Sequence, residues 1–161
     1  MTGSPKLTAA VSGTNEFSPG DNAVIAVQLQ NEGLNELKFV GSGIITRDDQ
    51  PNTAKLITIT IAPGASPLII KSDPQMIGDL KGGSSTTVKF TVKIPKNATV
   101  GTYDLPLNLK YTYLWMAEQI GTDSIQYLYR DVNETLSLPV KIKPVLQLSL
   151  IHISEPTRLL S

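Results

Sequence analysis

Residues 87–94 read TVKFTVKI, with an apolar side chain at every second position. In an extended strand, successive side chains point to opposite faces, so Val88, Phe90, Val92 and Ile94 line one side and Thr87, Lys89, Thr91 and Lys93 the other. A helix would scatter the same four apolar groups around its circumference. The alternation recurs along the chain. Ala23, Ile25, Val27 and Leu29 form one set, Ile57, Ile59 and Ile61 another, and Leu136, Leu138, Val140 and Ile142 a third. Pro139 interrupts the last with a residue that lacks an N–H, which predicts an edge position or a bulge there.

Residues 6–11 supply a first strand, Leu37 and Phe39 begin a return strand, and residues 68–70 form a short apolar run. Between these segments lie Ser18-Pro19-Gly20-Asp21, Asn31-Glu32-Gly33, Pro63-Gly64, Asp73-Pro74 and Gly82-Gly83-Ser84-Ser85. Asn and Gly tolerate positive φ, so the Asn31 cluster reads as a turn. About eight strands follow from this punctuation, and no segment carries an apolar stripe at helical spacing with caps. The expected fold is all-β, an immunoglobulin-like antiparallel β-sandwich in a single domain over residues 1–147.

The chemistry such a chain can carry is narrow. Fourteen Lys and Arg balance fourteen Asp and Glu, which lacks the basic footprint of a nucleic-acid binder or a polybasic membrane-surface protein. Cysteine is absent, removing disulfides and thiolate metal sites. The single histidine, His152, leaves no imidazole elsewhere for a Ser-His-Asp triad or a histidine zinc site. Gly82 to Ser85 precede a strand rather than a helix, which makes them a turn and not a phosphate cradle. Asp48-Asp49-Gln50-Pro51-Asn52 gathers oxygen ligands, but its spacing departs from an EF-hand loop, and a solvated connection accounts for it equally well. Asp104, Asp123, Asp131 and Glu134 are carboxylates that could converge for glycoside hydrolysis, although no pair is singled out. We therefore expect no catalytic residue, no cofactor and no metal.

The aromatic residues gather late. Tyr111 and Tyr113 share parity with Leu105, Leu107 and Leu109 and should continue a buried row. Trp115, Tyr127 and Tyr129 flank an excursion over residues 116–124 and form the candidate recognition surface. Two N-x-S/T sequons, at Asn97 and Asn133, sit where strand ends are expected and are candidate N-glycosylation sites.

The stretch IGDLKGGSSTTVKFTVKIPKNATVGTYDLPLNLKYTY, residues 77–113, resembles archaeal S-layer-related domains of methanogen type, which are similar to adhesion-type immunoglobulin-like sandwich domains. The shared elements are a Gly-Asp-Leu turn at Gly78-Asp79-Leu80, a Gly/Ser link, an alternating strand, and Ala-x-x-Gly-Thr-Tyr from Ala98 to Tyr103. FSPGDNAVIAVQLQNEG, residues 17–33, and AEQIGTDSIQYLYRDVNETLSLPVKIKP, residues 117–144, resemble the opening and closing segments of that family. The resemblance implies a non-enzymatic, extracellular cell-envelope domain, structural or adhesive, from a larger surface protein. Its partners would be other envelope proteins or neighbouring domains of the same chain. The runner-up is an accessory module that binds an envelope transporter or glycans. Neither reading involves nucleic acid, and membrane attachment would come through an anchor that this stretch lacks.

At the end of the chain, LSLIHISEPTR, residues 148–158, resembles the translation of a sequencing-library adapter. We expect residues 148–161 to be an appended tail rather than a domain, and the rest to be a fragment whose leader and anchor lie elsewhere. A genuine strand is the alternative, since Leu148, Leu150 and His152 alternate.

Overall fold

The computed structural model describes residues 2–36, 50–121 and 124–144. Leu37 and Phe39, Asp48 and Asp49, Asp123, and the whole of residues 145–161 with His152 lie outside the described residues.

Eleven strand segments follow one another: β1 (Thr2–Gly3), β2 (Leu7–Ser12), β3 (Glu16–Phe17), β4 (Asn22–Asn31), β5 (Asn35–Glu36), β6 (Ala54–Ile61), β7 (Ile69–Ile70), β8 (Gln75–Leu80), β9 (Ser85–Lys93), β10 (Gly101–Ile120) and β11 (Ser124–Ile142). Four of these are two-residue pieces, too short to leave a periodic trace in sequence, and seven are full strands. They build a four-stranded sheet in the order β2-β4-β9-β7 and a five-stranded sheet in the order β3-β11-β10-β6-β8, with β1 and β5 as a separate pair. The first order matches strands A-B-E-D of an immunoglobulin domain, and β11, β10 and β6 match G, F and C. β3 pairs parallel to β11, so the chain's opening strands are shared between the two sheets. The protein is an all-β, immunoglobulin-like sandwich.

The alternating sets face one another across the interior, as expected. Ile25 lies opposite Phe90 and Val27 opposite Val88 within one sheet. Ile61 lies beside Leu107 and Ile59 beside Leu109 in the other. All of these belong to a single buried cluster. Fully burying one such side chain contributes roughly 1.5–3 kcal/mol, so the periodic faces are the main driving force for the fold.

Pro139 stands in β11 opposite Asp104, one strand in from the short edge piece β3. The Lys141 and Lys143 N–H groups donate outward to the carbonyls of Asn15 and Phe17. Pro139 has the same parity, so its missing N–H faces that outer side and no bond to β10 is lost. Its carbonyl accepts from the Asn15 amide at 3.1 Å. β11 is thus not the edge strand expected, and no bulge falls at Pro139, but the outer side of β11 is paired with β3 only at Lys141 and Ile142, which leaves the proline position without a strand neighbour there.

Two turns use glycine for conformation. Gly20 (φ 91°), behind Pro19, closes a turn in which the Asp21 N–H donates to the Ser18 carbonyl. Gly83 (φ 83°) does the same between Lys81 and Ser84, so the Gly82 cluster is a turn feeding β9. The Asn31-Glu32-Gly33 cluster differs from its sequence reading, because neither Asn31 nor Gly33 has positive φ. Asn31 is the last residue of β4 and is fully buried. Its side-chain nitrogen donates to the Asn52 carbonyl (2.7 Å) and the Leu80 carbonyl (2.9 Å). Its oxygen accepts from the N–H groups of Gly33 (2.9 Å) and Lys6 (3.2 Å). Gly33 is required for room instead: a Cβ there would sit 2.3 Å from the Ser4 carbonyl oxygen.

The Ala98 to Tyr103 motif folds into a corner leading to β10. The Tyr103 hydroxyl donates to the Thr99 carbonyl at 2.7 Å, while its ring lies over Gly101. This is the tyrosine corner of immunoglobulin-like domains, where a phenol anchors the backbone a few residues upstream. Tyr103→Phe keeps the ring and deletes the bond. It should lower unfolding free energy by about 1 kcal/mol, read as a shifted denaturant midpoint at constant slope.

Candidate functional site

The longest feature of the fold is the β10–β11 hairpin, paired from Gly101 opposite Ile142 out to Ile120 opposite Ser124. The expected excursion over residues 116–124 is therefore mostly strand, not loop. β6 accompanies β10 only as far as Thr112, which lies opposite Lys55. Past that point, β11 is the only strand that pairs with β10 among the described residues.

A bulge divides this arm from the sandwich. Leu114 pairs with Tyr129 and Met116 with Leu128, leaving Trp115 as the extra residue. From Leu105 to Tyr113, odd-numbered residues of β10 face the core; Leu114, just before the bulge, is fully buried although it has the other parity. Tyr111 is buried, and Tyr113 packs against the same cluster, as their parity with the leucines predicts. Above it the parity inverts. Trp115 lies over Arg130, with the guanidinium carbon 3.9 Å from the ring centroid. That contact contributes about 0.5–1 kcal/mol at an exposed site. Arg130 pairs with Tyr113 and so shares the core-side face of the ribbon. Tyr127 and Tyr129 have the opposite parity on β11. The three candidate recognition residues are thus split: half-buried Trp115 on one face of the arm, half-buried Tyr127 and exposed Tyr129 on the other.

A second irregularity lies beside the first. β6 shifts register against both β10 and β8 around residues 55–57. There Leu56 adopts φ 54° and points an exposed side chain (71 %) away from the core. A left-handed conformation costs a branched L-residue about 1–2 kcal/mol. Asp79 holds it: its Oδ1 accepts the Leu56 N–H at 2.9 Å, and its Oδ2 lies 3.5 Å from the Lys55 ammonium. Where β6 swings away from β10, a shallow depression of about 310 Å³ opens between Leu56 and the outer groups Lys110, Thr112, Asp131 and Asn133. Tyr111 and Val132 contribute to its floor. The Thr112 hydroxyl donates to Asp131 Oδ1 at 2.6 Å, and Asn133 Oδ1 accepts from the Asn108 amide at 2.7 Å. No motif marks this site, because it depends on where one strand parts from its neighbour.

Tyr111 also ties the sheet internally. Its hydroxyl donates to Glu134 Oε1 at 3.1 Å. Burial first, and then the charge of Glu134 and this hydrogen bond, hold the phenol well above its ordinary pKa, so it stays protonated as the donor.

The described candidate carboxylates do not converge. Asp104 lies opposite Pro139, and Asp131 opposite Thr112. Eight residues of β10 separate those positions, about 27 Å of strand. Glu134 has the opposite parity from Asp131 and is engaged by Tyr111. Among the described residues no group of three or more His, Cys, Asp or Glu could hold a metal ion. The sequons also differ. Asn97 is exposed in a turn closed by the Ala98 N–H and the Pro95 carbonyl. Asn133 was expected beside a strand end, but it lies in the middle of β11 opposite Lys110, with its side-chain oxygen already bonded. The sequence offered no sign of this, because β11 runs unbroken through Asn133-Glu134-Thr135.

No family model matches the chain, and no curated protein matches it. Among solved structures, it is similar to native alpha-2-macroglobulin from Escherichia coli, in a structure spanning domain MG7 to the C-terminus. The identity is 15 % and the TM-score 0.42, over 88 % of this chain and 17 % of that one. The chain thus spans about a sixth of that structure's length. The strand order alone, with the parallel β3–β11 pair and the Tyr103 corner, makes the domain immunoglobulin-like.

Proposed function

We propose that the chain is an extracellular module of the cell envelope, structural or adhesive, of the S-layer-related kind that its motifs resemble. It works by contact rather than by catalysis. The observation that carries this reading is the β10–β11 arm, which outruns its neighbour β6 and presents Trp115 and Arg130 on one face and Tyr129 on the other. The wide separation of Asp104 from Asp131 supports the non-enzymatic half. The partners would be other envelope proteins or neighbouring domains, met through the arm and the outer sheet faces. Exterior location predicts that the exposed lysines Lys89 and Lys93 on β9 are modified by a membrane-impermeant amine crosslinker on intact source cells. Recovery of the protein only from the cytosol, unmodified until lysis, overturns the reading.

An accessory binding role, for a transporter's exterior domain or for glycans, is the second reading, and the Trp115–Arg130 stack is what favours it. Trp115→Ala should then abolish capture of the partner while the melting temperature stays near that of the parent. Undiminished capture would remove the arm as the contact surface.

A further inference from the structure

The depression beside Leu56 is built unlike the rest of the outer sheet face. Elsewhere in the five-stranded sheet, the described pairings keep their register apart from the bulge at Trp115. Here a double register shift in β6, fixed by Asp79, draws one strand aside and turns an apolar side chain outward. Strain of this kind persists where the surroundings over-determine it, and it gathers at ligand sites. Bulges likewise cluster where a side chain must be re-aimed.

The polar groups around the opening are incompletely used. Asp131 Oδ1 is occupied by Thr112, while Oδ2 makes no hydrogen bond or ion pair within the described protein. Asn133 spends its oxygen on Asn108 and keeps its NH2 group unengaged there, and the Lys110 ammonium is unengaged as well. The site therefore offers one carboxylate acceptor and two nitrogen donors beside the outward-turned apolar side chain of Leu56. Its one positive and one negative group cancel, which disfavours an ionic ligand. A hydroxyl both donates and accepts, so two adjacent hydroxyls can meet the carboxylate and the amide or ammonium together. The volume of about 310 Å³ suits one sugar ring, whose C–H face would rest against Leu56.

We infer that this depression is a binding site for a neutral saccharide residue, with Asp131, Asn133 and Lys110 holding a vicinal diol and Leu56 forming the apolar wall. The site is distinct from the aromatic arm and does not require the exterior reading to be correct.

The test is a titration of the isotopically labelled protein with a panel of methyl hexopyranosides, followed by amide chemical shifts. Saturable shifts are expected for at least one sugar, with a dissociation constant on the order of 1 mM, confined to β6 around Leu56 and to the facing parts of β10 and β11. Asp131→Asn, which keeps an acceptor for Thr112, and Lys110→Ala should each weaken binding by about tenfold or more, as removal of a charged hydrogen-bonding group does. Leu56→Gly should weaken it while leaving the melting temperature at or above that of the parent, since glycine relieves the positive φ. Shifts that stay linear and unsaturated for every sugar overturn the inference. So do saturable shifts centred on Trp115, or binding that Asp131→Asn leaves unchanged.

Discussion

Replacing Asn31 by alanine should lower the unfolding free energy by about 3–5 kcal/mol, among the largest effects a single substitution can have here. The amide is fully buried and meets four backbone groups, two carbonyls and two N–H groups, drawn from four separate stretches of chain. Each buried group left unsatisfied costs about 1–3 kcal/mol. Water entering the vacated space would recover part of that total. Asn52 extends the junction, donating through its side chain to the Gly33 carbonyl and through its backbone to Asn35 Oδ1. Equilibrium denaturation with an unchanged slope would locate the loss in the native state. A loss below about 1 kcal/mol, the scale of one ordinary hydrogen bond, would mean that the network is not what joins β2, β4 and β8.

Gly33→Ala should cost about 2–4 kcal/mol, even though alanine can adopt the local backbone conformation without strain. The added methyl would lie 2.3 Å from the Ser4 oxygen and 2.8 Å from the Pro5 Cα, both main-chain atoms that cannot swing aside. Gly83→Ala is the matched comparison. It has open space around the new Cβ but a φ of 83°, and should cost only about 1 kcal/mol. An inverted ranking would show that conformation, not crowding, conserves space at the β4 exit. Because the Gly33 N–H donates to Asn31, the double variant Asn31→Ala/Gly33→Ala should fall short of the sum of the two.

Local alternation made the sandwich legible. Val88, Phe90 and Val92 announce their face without reference to any other strand, and the interior follows once such faces pair. What depends on a partner was not legible. Asn31 reads as a turn former because three of its four contacts come from Lys6, Asn52 and Leu80, which no local window contains. Gly33 reads as a source of positive φ because the Ser4 carbonyl is invisible in its own neighbourhood. Trp115 reads as one surface with Tyr127 and Tyr129, yet the bulge at that residue reverses the faces beyond it and separates Trp115 from both. Leu56 sits among isoleucines and threonines that promise an ordinary strand. Only the register against β10 and β8 turns it outward.

The parallel pair of β3 and β11 sets how the domain carries tension. A pull on the chain toward its two ends, once it has stripped β2 from β4, draws β3 and β11 in opposite senses along a common axis. The bonds from Lys141 to Asn15 and from Lys143 to Phe17, with the Glu16 carboxylate near both lysine ammoniums, are then loaded together rather than one after another. Such a clasp should yield abruptly at a threshold force instead of unzipping gradually.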